Sequence, residues 1–157
     1  MIEQGQSIPE SVLTQLTADG MQKHTSDALF ADKKVVVFAV PGAFTPTCSA
    51  AHLPGFVALA DKIKAKGIDS IICVSVNDAF VMKAWGDAHN AEALLMLGDG
   101  DASFTKALGL EMDTETFGGV RSQRYAMIVD NGVVTQLNVE EPKTFEVSKA
   151  EVILEAL

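Results

Sequence analysis

Arginine and cysteine are scarce: among 157 residues there are two arginines, Arg121 and Arg124, and two cysteines, Cys48 and Cys73. Cations in general are outnumbered, 12 Lys and Arg against 21 Asp and Glu, for a formal net charge of −9. No cluster of them forms the basic stripe that phosphate binding needs, so the expectation is no nucleic acid and no membrane among the partners. Long apolar runs are also missing. The longest, Val35 to Val40, falls far short of the about 20 residues that span a bilayer. The N-terminus MIEQGQSIPE has no charged region followed by an apolar one, so a soluble, cytoplasmic protein is expected. Two cysteines cannot build a disulfide framework, and each must be explained as a reactive or a buried thiol.

No repeat, low-complexity tract or Pro/Gly-rich linker divides the chain, which predicts one domain over residues 1–157. The apolar run Lys34 to Val40 reads as a central strand, as does Ile68 to Val76; a first strand is expected near Val12 to Leu16 and a short one over Leu94 to Leu97. Helices are expected over Pro46 to Lys66, with Pro54-Gly55 as a kink or break, over Ala79 to His89 after the start signal Asn77-Asp78, and over Ala102 to Leu108. Asn131-Gly132, between Arg124 to Asp130 and Val133 to Val139, predicts a type I′ hairpin. Ser148 with Glu151 predicts a capping box for a last helix that turns Val152, Ile153, Leu154 and Leu157 to the core. The sum is an α/β fold, a mixed sheet with helices on both faces and an antiparallel C-terminal hairpin.

The segment Pro41-Gly42-Ala43-Phe44-Thr45-Pro46-Thr47-Cys48 lies at the carboxyl end of a central strand, where open α/β sheets bind ligands. Thr45 suits the N-cap and Pro46 the first helical position, which puts Cys48 in the first turn, where free N–H groups and the helix dipole favour a thiolate. A small buried hydrophobe at a helix start is the plainer reading of Cys48. Arg121 and Arg124, three apart, would point to opposite faces of a strand, so at most one enters a given pocket. Residue pattern alone does not choose between them. The Thr45 hydroxyl either caps the helix or serves the thiol. His52, four residues after Cys48, is either a base or ligand on the same face or a core residue. No other His or Cys has the spacing of a metal site, and none is expected. Cys73, inside Ile71-Ile72-Cys73-Val74, reads as inert core. Asp99-Gly100-Asp101 opens like a calcium loop, but Phe104 and Leu110 occupy positions that need glycine and glutamate.

Together PGAFTPTCSAAHLPGF (41–56), VSVNDAFVMKAW (74–85) and RYAMIVDNGVVTQLNVE (124–140) closely resemble the peroxiredoxins, and within them the fifth subfamily with its plant type II members. The resemblance implies a thioredoxin-like fold in which TxxC stands where thioredoxins carry CxxC. It places the family's proline, threonine and peroxidatic cysteine on Pro41, Thr45 and Cys48, and its arginine on Arg124 rather than Arg121. It implies reduction of hydrogen peroxide and alkyl hydroperoxides without metal, haem or flavin, through a Cys48 sulfenic acid. The C-terminal EVSKAEVILEAL has no cysteine to match the resolving one of animal members, and Cys73 matches the second cysteine of the plant pattern. An external thiol is therefore the expected reductant, glutathione with glutaredoxin or a thioredoxin. A homodimer is also implied; Phe44, Phe80 and Trp85 read either as partly exposed side chains at its interface or as core residues. A general thiol–disulfide oxidoreductase on the same fold and a thiol-based redox sensor are the rival functions; the missing second cysteine of CxxC argues against the first.

Overall fold

The valine-rich segment at the middle of the chain is apolar at every position because it is covered from both sides. In the computed structural model, which describes residues 1–157, the strands are β1 (Val12–Thr17), β2 (Gly20–Thr25), β3 (Lys34–Ala39), β4 (Ser70–Ser75), β5 (Leu95–Gly98), β6 (Glu111–Asp113), β7 (Val120–Ser122), β8 (Tyr125–Asp130) and β9 (Val133–Val139). The helices are α1 (Ser26–Phe30), α2 (Leu53–Lys64), α3 (Ala79–Ala88), α4 (Ser103–Leu108) and α5 (Ala150–Glu155). Seven strands form one sheet in the order β2-β1-β5-β4-β3-β8-β9, and β6 with β7 forms a separate small ribbon. β3, β4 and β5 are parallel, while β1 and β8 run antiparallel to their neighbours. This is the mixed thioredoxin-like sheet that the sequence predicts.

Side chains alternate between two cores. Val36, Phe38 and Val40 pack with Phe56 of α2, Trp85 of α3 and Ile153 of α5. Val35, Val37 and Ala39 pack on the other face with Phe30 of α1 and Phe104 and Leu108 of α4. Each fully buried Val, Phe or Leu contributes about 1.5–3 kcal/mol relative to exposure, which anchors β3 firmly in the sheet.

Asn131 and Gly132 have φ of 47° and 77°, as a type I′ turn requires, and β8 pairs with β9 across them. The expected first strand is half of a hairpin. Its partner β2, GMQKHT, sits at the sheet edge with almost every side chain exposed or half-buried, so it carries no alternation of apolar residues to read. The five-residue α1 and the three-residue strands β6 and β7 are likewise too short to leave a periodic signal. The capping-box expectation is overturned: α5 starts at Ala150 with no side-chain cap, and Ser148 gives its N–H and hydroxyl to Glu140 at 2.8 and 2.6 Å. Ile153 is fully buried and Leu154 and Leu157 pack on the core, whereas Val152 is only half-buried.

Candidate active site

β3 ends at Ala39, and the next residues make a tight loop into a helix. Asn77, just before α3, fastens that loop by accepting from the Ala43 N–H at 3.0 Å and the Ser75 hydroxyl at 2.6 Å. Phe44 is held at φ 63°, a left-handed conformation that costs a bulky residue free energy and persists only where the surroundings impose it. A Cβ at Gly42 would lie 3.2 Å from the Thr45 methyl, so a larger residue would press on the turn. Thr45 holds the N-cap position, its carbonyl accepting from Ser49 at 2.9 Å. Its hydroxyl, however, donates to the Gly42 carbonyl at 2.6 Å and does not cap the helix.

The helix begins at Pro46, so its missing N–H costs no internal bond. Cys48–His52 then forms a single π-helical turn, closed by the Leu53 N–H on the Cys48 carbonyl, and continues directly into α2. The expected kink or break at Pro54-Gly55 is this turn instead. Pro54 has no N–H for an ordinary helical bond, and the wider turn just before it absorbs the mismatch without stopping the helix.

The Cys48 sulfur is fully buried. Arg124, immediately before β8, donates to it from Nη2 at 3.1 Å and to His52 Nδ1 from Nη1 at 2.9 Å. The His52 Nε2 lies 3.0 Å from the Ser148 carbonyl. A carbonyl only accepts and a guanidinium only donates, so the ring is neutral with its hydrogen on Nε2. Burial, with the Arg124 charge adding to it, lowers the His52 pKa from 6.5 to about 3. His52 is therefore a core residue wedged behind the arginine, and its base and metal-ligand readings fall away. No group of three or more His, Cys, Asp or Glu is placed to hold a metal ion.

Arg121 is bonded elsewhere, although its Nη1 lies 3.9 Å from where a Cβ on Gly42 would stand. On β7, it donates from Nε to the Gly118 carbonyl at 3.0 Å and from Nη1 to the Val76 carbonyl at 2.8 Å. Arg121 is on β7 and Arg124 in the two-residue link from β7 to β8, so the two do not alternate along one strand in the way their spacing suggests. Pro41, Thr47, Arg124, Met112 and Phe145 line a cavity of about 710 Å³, which meets Cys48 only through Arg124.

Cys73 lies on β4, beside Phe38 of β3, and is fully buried; burial pushes its thiol pKa well up, with the nearby Cys48 adding to the effect. Both cysteines are free. Phe44 and Phe80 are 55% and 63% exposed, but Trp85 is fully buried and donates to the Ser49 hydroxyl at 2.9 Å. The exposed reading of Trp85 is thus wrong: its helix turns it inward behind Cys48's own turn. Phe117, at 73% exposed, was not legible because it sits in a loop without pattern. Asp99 is no calcium ligand in waiting, since its carboxylate accepts from Phe104, Thr105 and the Thr105 hydroxyl at the start of α4.

Residues 3–154 match the family described as Redoxin. The chain is 51% identical to peroxiredoxin-2E-2, chloroplastic, of Oryza sativa subsp. japonica, over 98% of this chain and 71% of that protein. The chain belongs to the peroxiredoxins. Against peroxiredoxin-2C of the same plant the identity is 49%, over 98% of this chain and 96% of the other. The fold superposes on reduced Prx3 from Vibrio vulnificus, solved in complex with hydrogen peroxide, with a TM-score of 0.98 at 72% identity, covering 99% of both chains. The peroxiredoxin described here is accordingly a thiol-dependent peroxidase, an oxidoreductase. No helix in it is long and apolar enough to cross a membrane.

Proposed function

We propose that Cys48 is the peroxidatic thiol of this peroxiredoxin and that Arg124, Thr45 and Pro41 complete its site. The observation that carries the assignment is the Arg124 Nη2 contact with the Cys48 sulfur. A guanidinium cannot give up its proton, so it sets a permanent positive charge and a hydrogen-bond donor beside the sulfur, whose thiolate is the nucleophilic form. The thiolate attacks the outer oxygen of the peroxide. An S–O bond forms, the O–O bond breaks, and its electron pair leaves with the inner oxygen as hydroxide or alkoxide, which takes a proton to become water or an alcohol. Cys48 is left as the sulfenic acid. Arg124 can donate to the departing oxygen as charge builds on it. The Thr45 hydroxyl, which donates to the Gly42 carbonyl, would turn to hold the peroxide in line, and Pro41 on the cavity wall would limit water and further oxidation.

An external thiol closes the cycle. It displaces water from the sulfenic acid to give a mixed disulfide, which a second thiol then reduces. Glutathione with glutaredoxin fits best, because a small thiol can enter through the 710 Å³ cavity; a thioredoxin is the alternative. Cys73 takes no part, since the centre of a buried strand would have to open to reach Cys48. Mixing reduced protein with peroxide and each reductant in turn tests this, with turnover expected for glutathione plus glutaredoxin and absent in Cys48→Ser.

The protein acts as one domain and as a homodimer. Phe44, Phe80 and Phe117 are all exposed, and exposed aromatic side chains of this kind are candidate interface residues. A cytoplasmic location agrees with two thiols left unpaired.

A further inference from the structure

Behind Arg124 stands a chain of contacts that the peroxidase reaction does not itself require. The Glu140 carboxylate, 7% exposed, accepts from the Glu146 N–H at 2.8 Å, the Ser148 N–H at 2.8 Å, the Ser148 hydroxyl at 2.6 Å and the Thr144 hydroxyl at 3.1 Å. One side chain thus clasps the strap that follows β9. The strap brings the Ser148 carbonyl to His52 Nε2 and lays the Phe145 ring 5.0 Å from the imidazole and 5.8 Å from the Arg124 guanidinium.

We propose that Glu140 and His52 are positioning residues for Arg124: the clasped strap offers the Ser148 carbonyl to Nε2, fixes the imidazole tautomer, and so turns the Nδ1 lone pair to hold the guanidinium against Cys48. With the hydrogen on Nδ1, or on both nitrogens, an N–H would face the Arg124 N–H and push it away. Arg124 also lines the open cavity, so a guanidinium without its Nδ1 anchor has room to leave the sulfur. The groups that bear charge around the ring are Arg124 and Glu140, with Cys48 on the far side of Arg124; Lys149 faces the other partner of the ring, Phe145. The inference rests on the reading of Arg124 as the partner of Cys48, and two of its readouts need no peroxide.

The test uses the full chain with 15N-labelled histidine. In the parent protein the His52 nitrogens should report one neutral tautomer, protonated on Nε2, between about pH 5 and 8. Glu140→Ala should mix the tautomers, lower the Cys48 thiolate absorbance at neutral pH and slow peroxide reduction about tenfold through misplacement of Arg124. Glu140→Gln should restore all three, because its amide oxygen can still accept from Glu146 and Ser148. Should Glu140→Ala not fold, His52→Leu against His52→Asn decides: Leu removes the acceptor, while the Asn oxygen replaces Nδ1 and recovers thiolate. A parent His52 protonated on Nδ1 overturns the proposal. So does a Glu140→Ala protein, or an equal His52→Leu and His52→Asn pair, whose thiolate fraction and rate stay within about twofold of the parent. A Glu140→Ala protein that shows the expected tautomer and thiolate changes but reduces peroxide at the parent's rate would instead count against the role of Cys48.

Discussion

Arg124 reaches the Cys48 sulfur with Nη2 at 3.1 Å although 76 positions separate the two residues in the chain. The β3–β8 pairing makes this possible, because Tyr125 lies opposite Ala39 and so brings the residue before β8 to the loop after β3. Arg124→Ala should therefore slow peroxide attack by about 10²–10³-fold, the usual loss when a donor to a developing anion is removed. Arg121→Ala, which frees only the Gly118 and Val76 carbonyls, should stay within about tenfold of the parent. Stopped-flow peroxide consumption by both variants distinguishes them, and equal losses would refute the assignment.

Cys73→Ser should keep most of its turnover with glutathione and glutaredoxin. The substitution places a hydroxyl in an apolar core, a cost of about 1–3 kcal/mol, so a lower melting temperature is expected alongside. Mass spectrometry of the parent treated with peroxide and glutathione should find the adduct on Cys48. A Cys48–Cys73 disulfide, with turnover abolished in Cys73→Ser, would show an internal resolving thiol instead.

The sheet and the candidate site residues were legible in the sequence but the scaffold behind them was not, and the reasons are physical. β3 and β4 are buried on both faces, so their apolar runs are unmistakable, and Asn131-Gly132 writes its turn type in two residues. β2 lies at an edge and leaves no pattern. Cys48 and Thr45 were readable because helix starts have chemical rules, whereas choosing Arg124 over Arg121 required the family resemblance. His52 showed only a four-residue spacing from Cys48. Nothing local tied Glu140 to Ser148, whose Ser-x-x-Glu pattern looked like a cap; that pairing spans eight positions and exists only once the strap is folded.

Acid should destabilise the protein in two overlapping steps. The folded His52 pKa is lowered from 6.5 to about 3 by burial and then by Arg124, so the unfolded chain takes up this proton first and stability falls as pH drops through that window. For Glu140, burial alone would raise the pKa, but the bonds from Ser148, Glu146 and Thr144 outweigh it and bring 4.5 down to about 2. The stability from those bonds is present above pH 4.5 and lost toward pH 2. Denaturant unfolding as a function of pH should show both, and His52→Leu should flatten the upper part of the curve. An unchanged slope in that variant would contradict the buried neutral imidazole.

Phe80→Glu should shift the protein from dimer to monomer in sedimentation without altering its circular dichroism, since the side chain is 63% exposed at the start of α3. A parent that sediments only as monomer at micromolar concentration would remove the interface.

The most direct test of the central claim is chemical trapping of the sulfenic acid. Reduced protein mixed with one equivalent of hydrogen peroxide and a sulfenic-acid-specific carbon nucleophile should carry the label on Cys48 alone, and Cys48→Ser should carry none and consume no peroxide above background. Label on Cys73, or continued peroxide consumption by Cys48→Ser, would contradict the assignment of Cys48 as the reacting thiol.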